Sequence, residues 1–253
     1  MLGLPAGIRA CLFDVDGVLT ETAIVHRAAW KRTFDNFLEH QPGLTVEQAR
    51  EFSDDDYNSF VDGKPRHDGV RDFLASRAIT LPEGEPGDPD EAATVNGIAN
   101  RKNKLLLAEL EEHGVIPYAG SLRYIQAASS AGLRIAAVTA SANGEAILDA
   151  GGFSQYCEAR IDGLVAAREK LRGKPAPDPF LAGARALEVH PSEAAVFEDA
   201  LSGVAAGRAG NFGFVIGVDR VGQAEALREH GADIVVDDLA DLLEAQQTQG
   251  VDS

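Results

Sequence analysis

The feature that most constrains the fold is the stretch from Ile8 to Thr22, which reads IRACLFDVDGVLTET. Its apolar run shows little alternation, which is typical of a strand buried on both faces at the centre of a parallel sheet. The run ends in Asp14 and Asp16, and Gly17 follows directly, where glycine permits a tight turn. The stretch therefore predicts a central strand that presents two carboxylates at its end.

The second half of the chain alternates between strand-like and helix-like segments. Further strands are predicted over residues 133–138, 194–197, 212–218 and 234–236, and helices over 121–131, 179–187, 202–208, 223–229 and 239–245. This alternation predicts an α/β fold, a Rossmann-like doubly wound parallel sheet covered by helices. Ligands of such sheets bind beyond the carboxyl ends of the strands, so polar groups at those ends are candidates for function.

The first strand is separated from this alternating part by a segment with helical patterns only. Helices are predicted over 22–38, 45–60, 70–77 and 91–113, and a loop rich in proline, glycine and acidic residues over 81–90. The segment is therefore interpreted as an inserted helical cap over residues 21–114. Residues 1–20 and 115–253 would form the α/β core.

Charge and length exclude several classes of protein. The net charge of −17 over 253 residues argues against a nucleic-acid ligand, which needs a basic face. No apolar run approaches the roughly 20 residues of a membrane span, and the first ten residues lack the pattern of a signal peptide. We therefore expect a cytoplasmic protein. Cys11 and Cys157 are too few for a disulfide framework or a structural zinc site.

Asp14 and Asp16 suit a reaction in which one carboxylate attacks and the other transfers a proton. The alternative is a pair of acidic turn residues, since aspartate before glycine is common in turns. Lys174 lies among the prolines of GKPAPDPF, which are expected to hold the chain extended and the lysine ordered beside a phosphate or a carboxylate. The alternative for Lys174 is a solvated surface lysine.

Two further strand ends carry polar groups. Thr139 and Ser141 follow one predicted strand, and Glu198 and Asp199 follow another. Carboxylate oxygens are hard ligands that suit Mg²⁺, which binds through one or two carboxylates and a substrate phosphate. The alternative for the acidic pair is a helix cap with an acid in the first turn.

These motifs, in this order, resemble the haloacid dehalogenase superfamily of phosphotransferases. The resemblance rests on DVDGVLT, VTAS, KPAPDPF and the Glu-Asp pair. It implies that Asp14 is phosphorylated and that Asp16 is the general acid/base, while Thr139 and Lys174 hold the phosphoryl group. It also implies a Mg²⁺ site formed by Asp14, Glu198, Asp199 and the main-chain carbonyl of Asp16.

Within the insertion, the sequence resembles the β-phosphoglucomutases. The first helix carries Thr22, His26 and Trp30 on one face because they follow one another at four-residue spacing. Arg66 and Lys102 lie in the later motifs GKPR and RKN. The resemblance implies that these cap residues contact substrate or the hinge. The alternatives are a core tryptophan and a structural histidine.

The resemblance implies a mutase that interconverts β-D-glucose 1-phosphate and glucose 6-phosphate, with a sugar phosphate as its ligand. It makes Arg66, Ser141 and Asn143 candidates for the non-transferring phosphate, and we expect a monomer. Ala142, Gly69 and Ala200 depart from the family pattern, which has a lysine at the first position and serine at the other two. A sugar-phosphate phosphatase and a non-catalytic phosphate-binding protein remain alternatives, and a dehalogenase fits less well.

Overall fold

The computed structural model describes residues 2–244 and divides the chain into two compact units. Unit 2 is Thr22–Gly114, and unit 1 combines the chain before and after it. Among the helices of residues 2–244, none is both long and apolar enough to cross a membrane. The predicted end of the last helix, at Ala245, lies outside the described residues.

The helices are numbered in chain order. Unit 2 contains α1 (Thr22–His40), α2 (Asp54–Asp56), α3 (Arg66–Ser76) and α4 (Val95–His113). Unit 1 contains α5 (Ala119–Ser130), α6 (Gly144–Ala150), α7 (Gly163–Glu169), α8 (Asp178–Ala186), α9 (Leu201–Ala209), α10 (Ala224–Glu229) and α11 (Asp241–Glu244).

A six-stranded parallel sheet forms the centre of unit 1. Its strands are β1 (Ala10–Phe13), β2 (Arg134–Val138), β3 (Ala159–Ile161), β4 (Ala194–Glu198), β5 (Phe214–Val218) and β6 (Ile234–Val236), in the order β3-β2-β1-β4-β5-β6. Strand β1 is fully buried and lies between β2 and β4, where the strand order reverses. The predicted doubly wound α/β fold is therefore confirmed, and the carboxyl end of β1 is its switch point.

Three short elements of unit 1 were not predicted. Strand β3 has only the residues Ala-Arg-Ile, so it lacks an apolar run that would distinguish it from a loop. Helices α6 and α7 have seven residues each, too few for a clear helical periodicity. All three lie between β2 and α8, where short elements follow one another.

Unit 2 has a core of its own, built from aromatic side chains. The ring of Phe34 lies between those of Trp30, Phe52 and Phe73, with centroid distances of 5.1, 5.0 and 4.1 Å. Helices α1 and α4 pack against each other along this core. The predicted apolar stripe of the first helix is therefore buried inside the unit.

The helix predicted over 45–60 is wrong over residues 45–53 and confirmed over the rest of its range. Thr45 and Gln48 do exchange the hydrogen bonds of a capping box, but only a turn follows. The side chain of Arg77 donates to the main-chain carbonyls of residues 47, 48, 50 and 51, which a helix would need for its own bonds. A helix begins only at Asp54, capped by Ser53, and continues into a short π-helix, Tyr57–Val61.

Candidate active site

Two carboxylates and one ammonium meet at the carboxyl ends of β1 and β4. Lys174 donates from Nζ to Asp14 Oδ1 at 2.5 Å and also to Glu198 Oε1. The three side chains are only 7%, 1% and 0% exposed for Asp14, Lys174 and Glu198. Buried charges of this kind persist only when they are paired, and here one cation serves two anions.

The pKa shifts in this cluster reflect burial and the excess of carboxylates over ammonium groups. Burial raises the pKa of Asp14 well above its usual range; Lys174 opposes this shift, whereas Glu198 and Asp16 add to it. Burial alone lowers the pKa of Lys174, but Asp14 and Glu198 outweigh it and hold that pKa above its usual range. This shift favours the charged form of Lys174, and the carboxylates around it repel one another.

Asp199 completes a buried group of acids that suits a metal ion. Oxygen atoms of Asp14, Glu198 and Asp199 lie within 4.8 Å of one another. Gly17 faces this group with φ at +101°, and a Cβ there would collide with the Asp199 carboxylate. Three carboxylates beside one ammonium form a hard, negatively charged donor set, so these residues fit Mg²⁺.

Asp16 points to the loop after β2. The Thr139 hydroxyl donates to Asp16 Oδ2 at 2.9 Å and accepts from the amide of Ser141 at 3.0 Å. The Ser141 hydroxyl accepts in turn from the amide of Asn143 at 3.2 Å. The structure thus brings the second acid and the polar loop together, as the adjacent strand ends predict.

The segment that carries Lys174 differs from its prediction. The chain turns at Lys174 and Pro175 instead of running extended, and the peptide bond between them is cis. Ala176 closes the turn by donating to the carbonyl of Gly173 at 2.9 Å. The Phe180 ring lies 5.0 Å from Lys174 Nζ and helps to bury it.

In unit 2, three of the predicted cap residues form one cluster. Lys102 is 3% exposed, and its Nζ lies 3.0 Å from His26 Nδ1 and 5.3 Å from the centre of the Trp30 ring. Trp30 also stacks on Phe34, so it belongs to the core of the unit as well. Thr22 begins α1 and is buried.

Arg66 is the first residue of α3. Among residues 2–244, no group bonds the buried Nε of Arg66. Burial lowers the pKa of its guanidinium. A buried cation with an unused donor at a helix start is suited to an anion.

Sequence reasoning missed two side chains that contact the acidic loops. Arg220 donates to the main-chain carbonyl of Gly17 at 2.9 Å, and Gln223 donates to that of Asp199 at 3.0 Å. Both follow β5, another strand end at the same edge of the sheet. The only available signal was that position, since a contact with a backbone carbonyl leaves no pattern in the sequence.

The chain as a whole is similar to several known proteins. A family model for haloacid dehalogenase-like hydrolases matches residues 8–211. The chain is 52% identical over 247 residues to a β-phosphoglucomutase of Mycobacterium tuberculosis (strain CDC 1551 / Oshkosh), covering 96% of this chain and 94% of that protein. A β-phosphoglucomutase of Bacillus subtilis (strain 168) is 29% identical over 238 residues, 93% and 92% of the two chains. A crystal structure of a β-phosphoglucomutase from Clostridium difficile superposes with a TM-score of 0.72 at 26% identity and covers 96% of both chains.

Proposed function

Because this chain belongs to the haloacid dehalogenase-like hydrolase family, we propose that it is a Mg²⁺-dependent β-phosphoglucomutase. Its reaction would interconvert β-D-glucose 1-phosphate and glucose 6-phosphate. The observation that carries the proposal is the buried Asp14, held by Lys174, with a second carboxylate at Asp16 at the same strand end. The similarity to mycobacterial β-phosphoglucomutase supports the choice of substrate.

Asp14 is the proposed carrier of the phosphoryl group. Phosphorylated Asp14 gives its phosphoryl group to the 6-hydroxyl of β-glucose 1-phosphate, and the aspartyl P–O bond breaks as the sugar P–O bond forms. The resulting β-glucose 1,6-bisphosphate reorients in the site, so that its 1-phosphate comes to face Asp14. Asp14 then takes the phosphoryl group from position 1, and glucose 6-phosphate is released.

Asp16 is the proposed proton carrier for both halves of this reaction. Its carboxylate takes the proton of the attacking sugar hydroxyl and returns a proton to the leaving sugar oxygen. A positioned acid/base contributes roughly 10²–10⁴ in rate. The Thr139 hydroxyl, which donates to Asp16 Oδ2 at 2.9 Å, holds the carboxylate in place.

Charge neutralisation is the proposed task of Lys174 and the acidic group. Lys174 binds Asp14 directly and reduces the repulsion between an anionic nucleophile and an anionic phosphate. Asp14, Glu198, Asp199 and the main-chain carbonyl of Asp16 would hold Mg²⁺, which when bound supplies further positive charge at the transferring phosphoryl group.

The remaining candidates are assigned to substrate binding. In unit 2, Arg66 is proposed to bind a phosphate, which its unused buried donor supports. His26 and Lys102 are proposed to contact the sugar, and Thr22 and Trp30 to support them from the same helix face. In unit 1, Ser141 and Asn143 are proposed phosphate ligands.

A sugar-phosphate phosphatase is the second candidate. The matching family model describes hydrolases, and Ala142 offers no cation where the resemblance expects a lysine. The same Asp14 chemistry would serve, with water in place of the sugar hydroxyl. Phosphatase and mutase therefore differ in what discharges the aspartyl phosphate.

A product assay distinguishes the two. The protein is incubated with Mg²⁺, a trace of β-glucose 1,6-bisphosphate and either the α or the β anomer of glucose 1-phosphate. We expect glucose 6-phosphate from the β anomer only, with little free phosphate. Free phosphate without glucose 6-phosphate would contradict the mutase and support the phosphatase.

A further inference from the structure

The loop after β5 folds around one carboxylate. Asp219 Oδ1 accepts hydrogen bonds from the amides of Val221, Gly222 and Gln223, at 3.2, 2.7 and 2.8 Å. The amide of Asp219 donates to the carbonyl of Val236 at 2.8 Å, which ties the loop to the end of β6. Residues 219–223 are called the brace loop below. Its backbone is therefore held by the Asp219 carboxylate and by the carbonyl of Val236.

Two side chains of the brace loop reach the two acidic loops. Arg220 Nε donates to the carbonyl of Gly17 at 2.9 Å, and Gln223 Nε2 donates to the carbonyl of Asp199 at 3.0 Å. Gly17 lies in the turn after β1, directly after Asp16. One loop therefore contacts both strand ends that supply the carboxylates.

The Arg220 guanidinium is held through Nε and Nη1, whereas its buried Nη2 has no hydrogen-bond partner among residues 2–244. Nη1 donates to the carbonyl of Asp237 at 2.9 Å and lies 3.5 Å from a carboxylate oxygen of Asp238. The guanidinium carbon lies 3.7 Å from the centre of the Tyr118 ring. Such a planar group, stacked and bonded in several directions, has little freedom to move.

Gly17 connects Arg220 with the acidic side chains. Its amide donates to the carbonyl of Thr20 at 2.8 Å, and its carbonyl accepts from Arg220, so the peptides on both sides of Gly17 are held. Gly17 lies so close to Asp199 that a Cβ would overlap the Asp199 carboxylate. A shift of Gly17 would therefore change the spacing between the Asp14 turn and Asp199.

We propose that Arg220 is a positioning residue that, through the carbonyl of Gly17, sets the spacing between the Asp14–Asp16 turn and Asp199. Gln223 acts from the same loop on the Asp199 side. The expected effect on turnover rests on the proposed function, whereas the expected effect on the turn itself does not.

The test compares Arg220→Met with Arg228→Met in the full chain. Arg228 is an exposed arginine of the adjoining helix α10 and serves as the control. Backbone hydrogen exchange is followed at residues 15–20, whose amides at 17, 19 and 20 are bonded within the turn. We expect Arg220→Met to speed exchange there and leave β2 and β4 unchanged, and Arg228→Met to match the native protein.

Steady-state kinetics give the second measurement. A displacement of about 1 Å in a reacting group costs on the order of 100-fold in rate, so we expect kcat to fall by roughly 10- to 100-fold in Arg220→Met while KM stays within about twofold. Arg220→Lys is expected to behave like the methionine variant, because an ammonium cannot make the forked contacts to two carbonyls. Gln223→Leu is expected to lower kcat less.

Several outcomes would overturn the proposal. They are unchanged exchange at residues 15–20, acceleration that is equal in β2 and β4, or kcat and KM that change together. If the native protein does not turn over sugar phosphates but the selective exchange effect is present, the proposed function fails and the role of Arg220 in the turn stands.

Discussion

Each unit of the molecule buries a charged cluster, and the two clusters differ in balance. In unit 2, Arg77 binds Asp56 at 2.8 Å, the two side chains are 5% and 6% exposed, and neighbouring carbonyls accept hydrogen bonds from Nη1 and Nη2 of Arg77. In unit 1, Lys174 faces both Asp14 and Glu198, with Asp199 close by. The first cluster is complete as it stands, whereas the second has an excess of negative charge.

The pKa values of the two buried aspartates are shifted in opposite directions. Burial would raise the pKa of Asp56, but hydrogen bonds from Ser53 and the charge of Arg77 hold it below its usual value. The pKa of Asp14 is raised by burial, and Glu198 and Asp16 add to the shift against Lys174. We infer that the balanced cluster stabilises its unit, and that the unbalanced one is maintained for chemistry at a cost in stability.

The largest expected effect is that of Asp14→Asn. We expect turnover to fall by at least about 10³-fold, since a nucleophile cannot be replaced by its amide. Without added metal, the midpoint of thermal unfolding should be no lower than in the native protein, because one of the mutually repelling carboxylates is gone. Retained turnover would exclude covalent catalysis by Asp14, and a lower midpoint would contradict the inferred excess of charge.

Asp56→Asn should have the opposite profile. Removing one partner of a buried ion pair costs about 3–5 kcal/mol, so the free energy of unfolding measured with urea should fall by that amount. Asp54→Asn is the matched control, because Asp54 is 81% exposed and its pair with Arg27 is worth at most about 1 kcal/mol. Equal losses in the two variants would remove the distinction between a buried pair and a surface pair.

A smaller effect is expected on the free energy of unfolding at acidic pH. The pKa of Asp56 is lower in the folded than in the unfolded protein, so its contribution is complete above the unfolded value of about 3.9 and is lost as the pH falls through the folded value. Urea unfolding of the native protein and of Asp56→Asn between pH 5 and pH 2 measures the contribution of the Asp56 carboxylate to stability. The two stabilities should converge at low pH, and a constant difference would refute the assignment.

The sheet was largely predictable because its central strands are apolar runs that end in polar groups. All five predicted strands correspond to strands of the sheet, namely β1, β2, β4, β5 and β6, and the shared edge of β1 and β4 explains why Asp14, Glu198 and Asp199 come together. Strand β3 was not predictable, because its three residues carry no strand pattern and only its pairing with β2 makes it a strand.

Long-range contacts account for what the sequence did not reveal. The conformation of residues 47–51 depends on Arg77, which lies 26 to 30 residues further along the chain and donates to four carbonyls of that segment. The contact of Arg220 with Gly17 spans 203 residues and ends on a backbone oxygen. Periodicity and motif spacing describe side chains near one another in sequence, so neither contact leaves such a signal.

The proposed Mg²⁺ site predicts that a divalent cation balances the excess negative charge of the unit 1 cluster. This is measured by calorimetric titration with Mg²⁺ of the native protein, Asp199→Asn and Asp56→Asn. We expect one ion bound per chain in the native protein and in Asp56→Asn, and affinity weakened by about tenfold or more in Asp199→Asn, because the charge of the ligands tunes the affinity. Absence of binding in the native protein, or equal binding in all three, would contradict the claim.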